Sequence, residues 1–349
     1  MAGKGSILFV GNHFQSINGD LKVWQEIPHR LSERGWRVLQ TSKHRSRVLR
    51  LGDILWTVLW NCSSYTVAEV DVFSGPSFFW AELSVRLLKW LNKPIILILR
   101  GGDLPAYARR HPSRVRKVFA AAEAVVAPSA YLANKLKPFR DDIHVIPNPV
   151  DTHAYPFRQR SKLQPNLVWL RAFHEIYNPS LAPKVLTALV KDWPGIRLTM
   201  VGPDKGDGSL HRMQQLASQL GVRDRIIIPG GVPRQEVPAW LDQGDIFINS
   251  TNIDNTPVSV IEAMACGLPV VSTNVGGIPY LVEDGVDGLL VPPDDADAMA
   301  AAVQKILNNP GLAETLSSNA RQKAEGFDWS AVLPKWEALF SEMMKKHHG

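Results

Sequence analysis

Short apolar runs alternate with amphipathic stretches along the whole chain, and this alternation predicts two successive α/β units. Ile7 to Val10, Trp36 to Leu39, Val67 to Phe73, Pro94 to Leu99, Ala124 to Ala127 and Ile143 to Ile146 are runs of strand length. The run from Pro94 to Leu99 is apolar throughout, as a parallel strand covered on both faces requires. Between these runs, Leu21 to Glu33 carries apolar residues at 21, 23, 24, 27 and 31, which fall on one helical face, and Pro28 within it predicts a kink. Phe78 to Leu91, Val115 to Ala122 and Tyr131 to Leu136 also read as helices.

The pattern then starts again. Strands are expected at Leu167 to Trp169, Ile196 to Val201, Ile226 to Ile228, Ile246 to Ile248, Val270 to Ser272 and Leu289 to Val291. Helices are expected at Leu210 to Leu220, Val258 to Cys266 and Ala296 to Leu307. Residues 151–165 are polar, aperiodic and end in Pro, and read as a linker. The expectation is an α/β fold of two Rossmann-like, doubly wound domains, 1–150 and 166–325, with a cleft between them. Residues 326–349 read as an amphipathic helix and tail long enough to cross back to the first domain, fraying over 341–349.

Composition narrows the class. The 349 residues are 45% hydrophobic and 21% charged, an ordinary globular balance. Two cysteines, Cys62 and Cys266, build neither a disulfide framework nor a Cys-based metal site, and fit reduced thiols. No apolar run approaches the ~20 residues that span a bilayer. The opening MAGKGSILFVGN lacks the apolar core of a signal peptide, so a cytoplasmic location is expected.

Charge is uneven. The net charge is +6, but residues 1–150 hold 21 Lys and Arg against 11 Asp and Glu, whereas residues 151–349 hold 18 against 22. The basic half points to an anionic membrane surface or an anionic substrate. Nucleic acid is disfavoured because no recognition module is visible. Arg109 to Lys117 is a dense cationic run that Arg45, Arg47, Lys135, Lys137 and Arg140 extend into one face. Trp24, Trp36, Trp56, Trp60, Trp80 and Trp90 add aromatic surface wherever they are exposed, or core wherever they are not.

Two stretches carry candidate chemistry. Gly11 to Gly19 lies between a strand and a helix, where backbone N–H groups meet an anion. It is neither G-x-G-x-x-G nor a Walker A loop, so a dinucleotide dehydrogenase or an ATPase loses support, and Asn18-Gly19 is also an ordinary turn pair. His13 lies in the same loop. The second stretch, residues 249–280, reads NSTNIDNTPVSVIEAMACGLPVVSTNVGGIPY. A strand ends near Ser250, a polar loop runs to Pro257, and a helix begins there with Pro in its first turn. A phosphate suits that helix N-terminus, and a carboxylate on a mostly apolar helix, Glu262, needs a partner such as a pair of ribose hydroxyls.

These residues resemble family-four retaining glycosyltransferases of GT-B fold, the glycosyltransferase group 1 enzymes. The match runs from Asp254 through Glu262 to Val270, then Ser272 to Pro279, then Glu283 to Pro293. It follows the family pattern E-x7-E, E-A-M-A-x-G-x-P-V and G-G-I-P. Asn148-Pro-Val-Asp151 and Arg171 resemble further family segments, while residues 1–147 match only in the order of their elements.

The resemblance implies a UDP- or GDP-linked sugar donor, no further cofactor, no metal, and transfer of a hexosyl group to a glycan or lipid-linked acceptor. It implies that Glu262 binds ribose, Asp254 the hexose, Arg171 the pyrophosphate, and Thr256, Pro257, Val258 and Ser259 the donor phosphates. Gly19 would approach the same phosphate, and Gly202 and Val232 would wall the base. Arg100 and Asp103 stand where the family carries H-G-x-D. Three departures stand out. Ile176 replaces a phosphate-binding lysine, with Lys205 a possible substitute; Arg100 replaces a histidine; and Tyr280 replaces a glutamate. The alternatives are a sugar-nucleotide epimerase, a phosphorylase, or a non-catalytic nucleotide-sugar-binding protein.

Overall fold

A computed structural model describes residues 4–11, 23–41, 46–101 and 103–348. The chain divides into two compact units, Met1–Pro149 with Trp329–Gly349, and Val150–Asp328. In the first unit the elements are β1 (Ser6–Val10), α1 (Val23–Glu33), β2 (Arg37–Gln40), α2 (Arg47–Trp60), β3 (Val67–Val72) and α3 (Phe78–Trp90), then β4 (Ile95–Leu99), α4 (Leu104–Arg110), α5 (Pro112–Ala120), β5 (Ala124–Ala127), α6 (Ala130–Leu136) and β6 (Ile143–Val145). Its six strands are parallel in the order β2-β1-β3-β4-β5-β6. Alternate residues enter different cores, as the two-residue strand period requires. Leu8, Val10, Val70 and Leu97 pack with residues of α2, α3, α5 and α6. Ile7, Phe9, Ile96 and Ile98 face α1 and the C-terminal helix.

The second unit comprises β7 (Asn166–Leu170), α7 (Leu181–Leu189), β8 (Arg197–Val201), α8 (Ser209–Gln219), β9 (Ile226–Gly230), α9 (Val237–Asp242) and β10 (Ile246–Asn249), then α10 (Val258–Ala265), β11 (Val270–Thr273), α11 (Ile278–Leu281), β12 (Leu289–Val291), α12 (Ala296–Leu307) and α13 (Pro310–Glu325). Its parallel order is β12-β11-β10-β7-β8-β9. Leu167, Trp169 and Ile248 enter one core and Val168, Phe247 and Val270 the other. All six strands run the same way, so Arg171, Gly202, Gly230 and Ser250 gather at one edge, where α/β sheets place their ligands.

The final helix, α14 (Trp329–His348), belongs to the first unit. Phe340 meets Phe9 at 6.1 Å and Trp36 at 6.0 Å between ring centroids. Glu337 accepts hydrogen bonds from Lys4, Arg34 and Trp36, each at 2.9 Å. The helix runs on to His348 instead of fraying from 341, and α1 continues through Pro28.

Residues 151–165 count with the second unit and are held there by buried arginine. Arg160 is fully buried and donates to Asp242 at 3.1 Å and to the carbonyls of Arg158 and Cys266. Arg158 binds Asp242 and Asp245, each at 3.1 Å. Burial, with Arg158 beside it, pushes the Arg160 guanidinium down to about 10.

Candidate functional site

The candidate donor residues assemble on the second unit. Arg171 follows β7, and its backbone N–H donates to the Val201 carbonyl at 3.0 Å, which fixes it beside the end of β8. Gly202 is required there: at φ +151° it lies so close that a Cβ would sit 1.8 Å from the Arg171 carbonyl oxygen. Gly202 also donates to the Gly230 carbonyl at 2.9 Å, so the segments expected to wall a base are joined to each other. Val232 is half-buried against the core beneath them.

The Arg171 guanidinium forms an ion pair with Asp254 and lies 4.6 Å from the Tyr177 ring centroid. Burial pushes it down to about 10, with Tyr177 and Glu262 opposing that shift. Its Nε has no hydrogen-bond partner among the described residues. Sequence reasoning assigned Arg171 and Asp254 separate ligands; the structure pairs them with each other.

The loop carrying Asp254 is held by two glycines and two hydroxyls. Gly277 donates to the Asp254 carbonyl at 3.0 Å, and a Cβ at Gly277 would stand 1.7 Å from the Asn255 carbonyl oxygen. Gly276-Gly277 is therefore the seat of the loop. On its other side, Ser250 donates to the Tyr177 carbonyl at 2.8 Å and Thr251 to the Ile176 carbonyl at 3.3 Å. Ile176 is more than a third exposed, and the neighbouring cation on this loop system is Arg171 rather than a residue at 176. Lys205 is exposed, with its backbone bound to the Phe173 carbonyl.

Pro257 caps α10, and the carbonyl of Pro257 accepts from Val260 at 3.1 Å. Thr256 and Ser259 flank this cap. Their hydroxyl oxygens are buried with no hydrogen-bond partner among the described residues, which leaves polar atoms for a ligand at the helix N-terminus. Val258 is the first helical residue and is half-buried.

Glu262, in the second turn of α10, is buried, and its Oε1 accepts a 2.7 Å hydrogen bond from Tyr155. Burial raises its pKa; Tyr155, Arg234 and Arg171 oppose that rise. Burial also raises Tyr155 far above the ordinary phenol, with Glu262 adding to it, so the phenol stays a donor. Arg321 holds Tyr155 in place by donating to the carbonyls of Tyr155 at 3.1 Å and Ala265 at 2.8 Å. Tyr155, Arg234 and Tyr177 escaped sequence reasoning because no spacing or period links them to the E-x7-E segment.

The remaining candidates lie elsewhere. Arg100 and Asp103 belong to the first unit. Arg100 is buried at the end of β4 and donates to Asp71 at 2.6 Å. Glu69, two residues before Asp71, is fully enclosed; burial first and the Asp71 charge second raise it well above an ordinary carboxyl, against Arg100. Asp103 is exposed and 3.3 Å from Arg110. Gly19 and His13 lie outside the described residues, as do Arg45 and the side chains of Arg47 and Trp24. Arg140 departs from the basic face expected of it: it donates to the Phe119 and Ala122 carbonyls at 2.6 and 2.7 Å and to Asp142, because those chain ends need a donor. No group of three or more potential metal-ligating side chains converges among the described residues. No described helix is long and apolar enough to cross a membrane.

A family model described as "Glycosyl transferases group 1" matches residues 158–323, and one described as "Glycosyltransferase Family 4" matches residues 27–154. A D-inositol 3-phosphate glycosyltransferase of Streptomyces bingchenggensis is 30% identical over 177 residues, 48% of this chain and 39% of that protein. The matches span 39% to 44% of the length of three such curated relatives. The fold is similar to sucrose-phosphate synthase from Thermosynechococcus elongatus, with a TM-score of 0.77, 18% identity, and 98% of this chain and 100% of that chain covered. It is similar also to Anabaena Alr3699/HepE in complex with UDP, with a TM-score of 0.75, 17% identity, and 97% and 100% covered. The architecture is thus GT-B, built from two Rossmann-like units.

Proposed function

The chain belongs to the glycosyl transferases group 1, and from that membership we propose that it transfers a hexosyl group, with retention, from a nucleoside-diphosphate sugar to a glycan or lipid-linked acceptor. The observation that carries this reading is Glu262, buried on α10 with one oxygen held by Tyr155 and the carboxylate poised for vicinal ribose hydroxyls. Arg171 and the buried hydroxyls of Thr256 and Ser259 would receive the diphosphate. Asp254 would turn from Arg171 to the hexose. UDP bound to Anabaena HepE supports a uridine diphosphate donor, with GDP the other candidate.

Retention follows if the acceptor oxygen bonds to the anomeric carbon on the face from which the diphosphate oxygen leaves. The acceptor proton then passes to that diphosphate. With Glu262 held by Tyr155 and assigned to the ribose, and Asp254 assigned to the hexose hydroxyls, neither carboxylate is left as a nucleophile, which favours this route. Stabilising the departing charge is the protein's main task, and Arg171 is the cation proposed for it, without a metal. The first unit would take the acceptor, with Arg100 and Asp103 as its candidates. Its basic surplus supports work at the inner face of a membrane, in cell-surface polysaccharide or glycoconjugate synthesis.

Incubating the protein with a panel of UDP- and GDP-sugars tests the reading. Donor hydrolysis or transfer is expected from one of them, and Glu262→Ala should abolish binding of that donor while leaving the fold intact. Tight donor binding without turnover would establish the non-catalytic alternative, which Ile176 at the lysine position favours. Donor binding unchanged in Glu262→Ala would sink the ribose assignment.

A further inference from the structure

The outer face of the first unit carries apolar surface that the fold does not use. At 100° per residue, Leu49, Gly52, Trp56, Leu59 and Trp60 fall within an arc of about 100° on α2. Ile54 and Val58 occupy the opposite side and enter the core. Helix α2 is thus apolar on two faces, only one of which is buried. Trp56 is 60% exposed, Trp60 72% and Leu49 61%. The rings of Trp56 and Trp60 stack at 5.1 Å with an interplanar angle of 15°, forming one outward aromatic plate. On α3, Phe79 and Trp90 are also exposed, Trp90 at 75%. A groove lined by Leu55, Trp56, Leu59, Leu83 and Leu87 joins the two helices.

Cations frame this face. Arg86 borders the groove, and on the far side of α3 a second hollow sets Phe79 and Trp90 among Arg86, Lys89, Arg114 and Lys117. The acids nearby are few: Glu82 is neutralised by Arg114, and Asp53 is half-buried on α2. Exposed tryptophan, leucine and phenylalanine ringed by lysine and arginine match the headgroup boundary of a bilayer, where an indole sits at the level of the headgroups and cations meet anionic lipid. A second copy of the chain would bring the same cations together, and like charge opposes that pairing.

We infer that the outward face of α2 and α3 docks the protein on an anionic phospholipid bilayer, through Trp56, Trp60 and Trp90 with Arg86, Lys89 and Lys117. The inference deepens the membrane contact proposed above by naming its surface. It does not depend on the donor, because docking is measured without one.

The test is co-sedimentation with vesicles of phosphatidylcholine mixed with phosphatidylglycerol, against vesicles of phosphatidylcholine alone, at low and high salt. Wild-type protein should partition to the anionic vesicles, more weakly at high salt, with a blue shift of tryptophan emission. Trp56→Ser with Trp60→Ser should cut partitioning at least ten-fold, and circular dichroism should show an unchanged melting temperature, since both side chains are exposed. Lys89→Glu with Lys117→Glu should weaken binding by about five-fold or more for each cation lost at the surface. Equal partitioning to both vesicle types overturns the inference, as does full binding by the tryptophan variant. A concentration-dependent dimer abolished by the tryptophan variant, without vesicle binding, would assign the face to a second copy and also overturn it. Vesicle binding by a protein that binds no sugar nucleotide would leave this inference standing and reject the donor reading alone.

Discussion

The hydroxyl of Tyr155 donates a 2.7 Å hydrogen bond to Oε1 of Glu262, joining side chains 107 positions apart. The bond orients one carboxylate oxygen and opposes the rise that burial imposes on the group. A hydrogen bond to a charged group contributes about 1.5–3 kcal/mol, so Tyr155→Phe should weaken UDP binding by roughly ten-fold or more. Losing the bond raises Glu262 further, and the carboxylate is protonated as pH falls through that value. The acid limb of UDP binding should therefore move to higher pH in Tyr155→Phe, as calorimetric titration from about pH 5 to pH 8 would read. An acid limb at the wild-type position would show that Tyr155 does not act on Glu262.

Gly277 gives a second test, of loop geometry rather than charge. A Cβ there meets the Asn255 carbonyl oxygen at 1.7 Å, and a backbone oxygen yields only if the loop moves. Gly277→Ala should cost about 1–3 kcal/mol of stability from overpacking and should displace Asp254. Donor binding is expected to fall well beyond what that loss explains, measured by titration at a temperature far below the melting point. Normal affinity in a destabilised variant would separate the loop's seat from the site.

Glu69 makes a prediction about stability. Its folded value lies well above the usual 4.5, so over that interval the folded state holds a proton the unfolded state has released. Stability from this group is full below about 4.5 and declines as pH rises toward the folded value. Glu69→Gln removes the decline. The variant should match wild type near pH 4.5 and melt higher at neutral pH, by about 2–4 °C for each kcal/mol recovered. A melting difference that does not grow with pH would contradict the protonated assignment.

Glu337 behaves in the opposite sense. Burial raises it, but the bonds from Lys4, Trp36 and Arg34 outweigh that and hold it below the ordinary glutamate range. Its contribution is present above about 4.5 and is lost as pH falls through the lowered folded value. Glu337→Gln should loosen α14 by about 2 kcal/mol at neutral pH and by less in acid. Hydrogen exchange over residues 329–348 at the two pH values would measure this, and equal protection in variant and wild type at neutral pH would refute it.

Much of the fold was legible because each strand is a short apolar run and the parallel sheets bury both of its faces. Helix α2 was not, and the reason lies in its outer face: Leu49, Trp56 and Trp60 add apolar positions opposite Ile54 and Val58, which erases the one-sided period. Helix α13 also went unread, although Asn309 caps it by accepting from Leu312 at 3.0 Å. Residues 151–165 looked like a linker because they are polar, aperiodic and end in Pro. The burial of Arg160 and the anchoring of the exposed Arg158 depend on Asp242 and Asp245, more than eighty residues away.

The sequence by itself determined the two-unit α/β plan, the run from Asp254 to Pro279 and the identity of Glu262 and Arg171 as candidate ligand groups. The plan and Glu262 depend on local period, on a proline at a helix start and on a carboxylate within an apolar helix; Arg171 and the extent of the run depend on the resemblance to the family's segments. The tertiary structure alone decided that Arg171 pairs with Asp254, that Tyr155 holds Glu262, that Gly277 seats the loop, and that Trp56 and Trp60 face outward. Hydrogen bonds and burial are made between residues brought together by folding, and no spacing along the chain encodes which donor reaches which acceptor or which face of a helix is left uncovered.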